Sequence, residues 1–303
     1  MTRNSGFYPS ALIALFLVPG AMVEARTLPC EFTDADAQRN PIGIQIAKTA
    51  CREHANWHGP FIGLDGRAGW RDGRNPMEAE GGQDRLLDRT TPWKRVASYW
   101  RSTPALDQMI ASKIHGATEC ATDATTWSAA AFCRTFIVEN PWSAAFVSHV
   151  MRGSGLNDFA FSRDHMGYLR AAYAAANASG PYRLVAPSAE KPELGDLLCY
   201  SREARIKNHR DLIALFERGE RELGTHCDVV VGVNLDGDSK LYVIGGNVLQ
   251  AVAMRKLSLN ARGVFSPPAV GPERGACGMN REDDCSLSRK HWIALLKLRR
   301  QGP

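Results

Sequence analysis

The sequence predicts an α+β domain. Three observations point there. Segments with helical patterning come first in the chain, before about residue 180. Two strand-patterned runs, 227–233 and 240–246, then follow with only the turn-forming stretch 234–239 between them, which reads as an antiparallel hairpin and not a βαβ crossover. The composition, 44% hydrophobic and 23% charged over 303 residues, suits a globular protein and excludes wholesale disorder, collagen or a coiled coil. The net charge is +5, but Lys and Arg are scattered, so no nucleic-acid partner is expected.

Residues 1–25 read as a secretory signal. Arg3 supplies the positive start, 11–18 (ALIALFLV) the apolar stretch, and Val23-Glu24-Ala25 the small residues of a cleavage site. Eight apolar residues are too few to span a bilayer, which takes about 20. No other segment is apolar enough, so no membrane span is expected once the signal is removed. The expected location is the periplasm or the exterior.

Residues 26–91 form an N-terminal extension. Residues 41–58 read as a helix, with Pro41 in its first turn and Gly59 just past its end. The Gly-, Asp- and Arg-rich stretch 59–91 reads as a long irregular loop, and its two Asp-Gly-Arg triplets as turns, because no EF-hand spacing follows. Residues 92–260 form the main domain. Thr91 and Pro92 are N-cap and N1 signals for a helix over 92–100. Residues 102–137 look like an insertion. A helix begins at Ser143, carries Ala144, Phe146, Val147, Val150 and Met151 at near-helical spacing, and stops at Gly153 and Gly155. A further helix covers 165–178, a short strand 196–200, and a helix 210–219. Residues 261–303 form a C-terminal extension whose last segment, 290–299, is a strand or short helix packing on the core.

Export changes how the eight cysteines read. An even count in an oxidising compartment predicts disulfides. Cys30 with Cys51, Cys120 with Cys133, and Cys277 with Cys285 are sequence-local candidates, which leaves Cys199 with Cys227.

One constellation could carry chemistry. Ser143 opens a helix, where free N–H groups and the positive dipole end stabilise an oxyanion. His226 begins the first hairpin strand. If Val233 faces Lys240, antiparallel pairing puts His226 opposite Asn247, which could orient the imidazole. Asp228 lies on the same face as His226 and is the rival orienter. Trp142, beside Ser143, is a candidate groove wall, although core packing is the commoner fate of such an aromatic. Cys51, His54 and His58 share a helix face, but no fourth ligand or HExxH pattern accompanies them, so no metal or other cofactor is expected. His149 reads as a surface or helix-packing residue. His165 falls in the first turn of its helix, where it can line the cleft, and is not among the expected site residues.

The strings Pro141-Trp-Ser-Ala-Ala-Phe-Val-Ser148, Gly195-Asp196, His226-Cys-Asp-Val-Val-Val231 and Ile244-Gly-Gly-Asn-Val248 occur in that order. Over residues 92–260 the chain resembles the bacterial domain-of-unknown-function family 2272 of the NlpC/P60-like superfamily. The resemblance implies a papain-like domain, with a helix packed on a small antiparallel sheet. Such domains commonly cleave peptide or amide bonds of peptidoglycan with a Cys, a His and a polar third residue. Those positions fall on Ser143, His226 and Asn247. Ser143 departs from the pattern, because a hydroxyl must lose its proton during attack, whereas a thiol ionises beforehand. Two functions follow as expectations: an exported envelope hydrolase of peptide or amide bonds, or an inactive envelope protein that binds cell-wall or peptide ligands in the same groove.

Overall fold

A computed structural model describes Met1 and residues 28–81, 84–175, 180–269, 277–279 and 285–299. The expected export signal, Met1 apart, lies outside the described residues. No helix among them is long and apolar enough to cross a membrane.

Helix α1 (Asp34–Arg39) starts on a capping box in which Thr33 and Asp36 satisfy each other's backbone N–H. Asn40 caps the longer α2 (Pro41–Asn56), with Pro41 at its start as expected. The 59–91 stretch is less irregular than its composition indicated. It holds two-residue strands β1 (Phe61–Ile62) and β2 (Ala68–Gly69). Helix α3 (Pro92–Arg101) follows. The insertion-like stretch is a small helical unit of α4 (Ala105–Ala111), α5 (Ala117–Cys120) and α6 (Trp127–Glu139), closed by the Cys120–Cys133 disulfide. Next come α7 (Ser143–Gly153), α8 (His165–Ala174), β3 (Tyr182–Val185), β4 (Leu197–Ser201), α9 (His209–Glu217) and β5 (Thr225–Val233). The chain ends in β6 (Lys240–Val248), β7 (Ala251–Leu259), β8 (Phe265–Ser266) and β9 (His291–Leu298).

One sheet takes all nine strands, in the order β2-β1-β7-β6-β5-β4-β9-β3, with β8 also on β7. Among the described residues only the β1–β7 pairing is parallel. The C-terminal segment is not an extension lying on the core. Strand β9 pairs with both β3 and β4, so it is an interior strand. Asp196 fixes this join. Its buried carboxylate accepts from Lys297 Nζ at 2.6 Å and from the Leu298 N–H at 2.8 Å. The Gly195-Asp196 string is therefore structural, a clamp between β4 and β9.

Both sheet faces are buried. Helices α2 and α7 lie on β5 and β6, and Cys227, Val229 and Ile244 join that core. Leu198, Val230, Val243, Leu257 and Leu295 form a second core on the opposite face. Alternation along β5, with Cys227, Val229 and Val231 on one face and Val230 on the other, explains how its almost wholly buried run serves two cores at once. An ion-pair network ties the N-terminal helix to the main domain. Glu53 of α2 accepts from Arg95 Nε at 2.8 Å and from Tyr99 Oη at 2.8 Å, and Tyr99 Oη accepts from Trp57 Nε1 at 2.9 Å.

All eight cysteines are paired: Cys30–Cys51, Cys120–Cys133, Cys199–Cys227 and Cys277–Cys285. These are the pairs that spacing and elimination single out. Cys199 and Cys227 face each other directly across β4 and β5 with Cα atoms 4.0 Å apart.

Candidate active site

The helix start comes first. Trp142 occupies the N-cap position of α7, and its side chain makes no capping hydrogen bond there. The N–H groups of the first turn thus lack an intrahelical partner beside a small cleft of about 220 Å³ lined by Ser143, Ala144, Arg163, His165, Arg202 and Thr225. Ser143 is the first helical residue and is 3% exposed.

Its partner is not the expected one. Ser143 Oγ lies 2.7 Å from His165 Nε2. Asp164 caps α8 by accepting the Gly167 N–H, and this puts His165 at N1 of α8, facing the start of α7. Tyr168 Oη hydrogen-bonds His165 Nδ1 from one turn further along α8. Serine, imidazole and phenol thus form a buried chain across two helix starts.

His226 stands behind His165, with ring centroids 5.1 Å apart. Both of its nitrogens have partners. Arg202 Nη2 lies 3.2 Å from Nδ1, and Asp228 Oδ1 lies 2.7 Å from Nε2. A guanidinium can only donate, so Nδ1 accepts and the ring proton sits on Nε2, directed at Asp228. Arg255 Nε approaches Asp228 Oδ2 at 3.5 Å, and the Tyr200 ring stacks on His226 at 5.0 Å. Gly245 makes room for the pair: a Cβ there would come within 2.8 Å of His226 Nε2 and closer still to Asp228 Oδ1.

Burial governs the titration of this cluster. It holds His165 well below the usual imidazole range, and the neighbouring His226 and Arg202 add to the effect. His226 is also lowered by burial, against the opposing pull of Asp228. For Asp228, burial raises the carboxyl, but His226 and Arg255 together leave it below the ordinary value.

Asn247 does not stand against His226. The register of β5 on β6 matches the expected one at Val229–Ile244 and Val230–Val243, because a bulge between Val230 and Gly232 absorbs a one-residue difference at the turn, where Val233 faces Leu241. The pairing of β6 with β7 then shifts between Gly245 and Val248, and Asn247 takes a left-handed backbone, φ 54°. That break in alternation sends its side chain to the start of α7. There, with the amide oriented so that its oxygen meets a donor and its nitrogen an acceptor, it accepts from the Trp142 N–H at 3.3 Å and donates to Glu78 Oε2 at 3.0 Å. Asp228, the rival orienter, holds His226 instead. Trp142 is no groove wall. It is fully buried, stacked on Trp57 at 5.8 Å, with Nε1 donating to Glu78 at 2.7 Å.

The expected helix-face trio is otherwise engaged. Cys51 is in a disulfide, His54 Nε2 meets the Pro60 carbonyl at 2.9 Å, and His58 contacts Asp72 and the Arg85 carbonyl. His165, Tyr168, Arg202 and Glu78 are the site residues that sequence reasoning missed. The Asp164 cap signal places His165 in a first turn, but nothing in the spacing ties that turn to the start of a helix 22 residues earlier.

The family described as "Uncharacterized protein conserved in bacteria (DUF2272)" matches residues 88–298, more than two thirds of the chain. The chain belongs to this family. No curated protein matches it, and neither does any solved structure. The DUF2272 match runs past residue 260 to Leu298, well beyond the span of the sequence resemblance. The sheet explains why: β9 fills an interior position, so a DUF2272 domain ending at 260 would leave β3 and β4 unjoined.

Proposed function

We propose that this DUF2272 protein is an exported hydrolase of peptide or amide bonds, of papain-like NlpC/P60 type, with Ser143 standing where that superfamily has its thiol. The observation that carries the reading is the 2.7 Å contact between Ser143 Oγ and His165 Nε2 at an uncapped helix start that opens into a cleft. In this mechanism Nδ1 of His165 carries a proton directed at Tyr168 Oη, which leaves the Nε2 lone pair facing Ser143. Ser143 Oγ attacks the carbonyl carbon while Nε2 takes its proton. The oxyanion meets the first-turn N–H groups of α7. The imidazolium then protonates the leaving amine, the C–N bond breaks, and water attacks the acyl-serine by the same route in reverse. The general-base role expected for His226 thus passes to His165. His226 and Asp228 become positioning residues behind it, and Asn247 a positioning residue at the helix start. Four disulfides suit an oxidising compartment, which supports periplasmic or secreted placement.

The test is incubation of the purified protein with peptidoglycan fragments, with products read by mass spectrometry. Cleavage should vanish in Ser143→Ala and fall by about 10²–10⁴-fold in His165→Gln. Cleavage that survives Ser143→Ala sinks the hydrolase reading. One observation favours the alternative, a groove that binds cell-wall peptides without cutting them. Both nitrogens of His226 are already occupied, so the superfamily's usual base is locked in place.

A further inference from the structure

The cleft at Ser143 carries more positive charge than its carboxylates offset. Arg163 and Arg202 both line it. Neither pairs with a carboxylate among the described residues. Arg163 Nη1 reaches Met109 Sδ at 3.6 Å, and Arg202 Nη2 reaches the neutral His226 Nδ1. The nearby acids are committed elsewhere. Asp164 caps α8. Glu203 accepts from Arg205 Nε at 2.7 Å and from the Gly224 N–H at 2.5 Å. Asp228 serves His226 and Arg255. Two more cations stand behind the cleft, with Arg255 and Lys290 at 5.9 Å and 5.8 Å from the Tyr200 ring centroid.

We propose that the ligand of this cleft bears a carboxylate, which docks on the Arg202 guanidinium with Arg163 as the second cation, beside Ser143. The inference rests on the reading of the Ser143 cleft as the working site, and it names the class of substrate. The chemistry favours a carboxylate. A guanidinium is a planar fork that matches a carboxylate through two parallel N–H donors, and the side-chain partners of Arg202, His226 Nδ1 through Nη2 and the Tyr200 phenol, are neutral groups that leave its charge uncompensated. The low-dielectric walls, Leu223 and the buried His165, strengthen that attraction over its value in open water. A peptide can present the group from its C-terminus or from an acidic side chain.

The test needs no turnover. Full-length protein carrying Ser143→Ala is titrated with four probes: N-acetyl-alanyl-alanine, its C-terminal amide, N-acetyl-alanyl-glutamic acid α-amide, and inorganic phosphate. Binding is followed by the ring signals of His165 and His226 in NMR. At least one of the two acids should shift those signals at about tenfold lower concentration than the uncharged amide. Which acid does so tells whether the carboxylate is terminal or on a side chain. Arg202→Gln, at an exposed position, should erase the discrimination, and Arg163→Gln should weaken it. Equal response to acid and amide, response to phosphate alone, no response to any probe, or discrimination that survives Arg202→Gln each overturns the proposal. Carboxylate binding that persists while Ser143→Ala leaves hydrolysis unchanged would retire the hydrolase reading and keep the anion site.

Discussion

Replacing Gly245 by alanine should break the His226–Asp228 pair from outside. The new methyl would lie 2.8 Å from His226 Nε2, where ordinary contact begins at 3.4 Å, and closer still to Asp228 Oδ1. Neither group can retreat freely. Asp228 is 1% exposed and bonded to Arg255, and His226 is fully buried under Tyr200. If the pair stays and the strand yields, overpacking costs roughly 1–3 kcal/mol. If the carboxylate is pushed off the imidazole, a broken buried pair costs roughly 3–5 kcal/mol. The expected loss of stability is therefore about 2–4 kcal/mol by urea unfolding. The Nε2 proton of His226 should also shift strongly in NMR. A double-mutant cycle identifies the cause. With Asp228→Ala already present, Gly245→Ala should cost at least about 1 kcal/mol less than it does alone. A Gly245→Ala protein within about 0.5 kcal/mol of the parent, or fully additive effects, would refute the placement of Asp228 against β6.

Three other outcomes follow from the same contacts. His54, His165 and His226 all have folded pKa values below 6.5, so the unfolded chain binds more protons below that pH; stability should be intact above about pH 6.5 and fall as the pH drops beneath it, by up to about 1.4 kcal/mol per unit for each histidine, and His165→Gln should remove one such contribution. Glu53 adds a separate, more acidic window: burial raises its carboxyl, but His149, Arg95 and Tyr99 bring it from 4.5 to about 2, so about 3 kcal/mol of stability present above pH 4.5 should disappear between 4.5 and 2, and Glu53→Gln should flatten urea midpoints across that range. Replacing both Cys199 and Cys227 by valine should destabilise by about 2–4 kcal/mol in thermal unfolding, and an unchanged midpoint would mean that the crosslink restrains nothing.

Local signals mark the structure where the chain fixes it locally, and a fixed period misleads where it runs through a bulge. Pro41 and Pro92 mark helix starts because their rings suit the first turn, and Ser143 opens α7 where the Pro141-Trp142 approach ends. Strand β7 and the interior role of β9 had no such marker, since neither is bounded by a hairpin turn that the sequence sets apart. The site shows the same division. The hairpin register is off by one at the turn, where Val233 faces Leu241 and not Lys240, and matches at Val230–Val243 and Val229–Ile244, just before Gly245, because one bulge restores what the turn displaces. Two residues later Asn247 left the alternation, and the face assigned to it by counting in twos was the wrong one. Asp228 lies before that break, on the strand that carries His226, so its face follows from the two-residue period alone and its contact forms. His165 depended on neither period. It reaches Ser143 only because α7 and α8 bring their starting turns together, and that convergence is set by packing against β3, β5 and β6, not by any spacing along the chain. The contact of Ser143 with His165 therefore forms through tertiary packing, which makes the orientation of α8, held by the Asp164 cap and by Tyr168, as much a part of the proposed site as Ser143 itself.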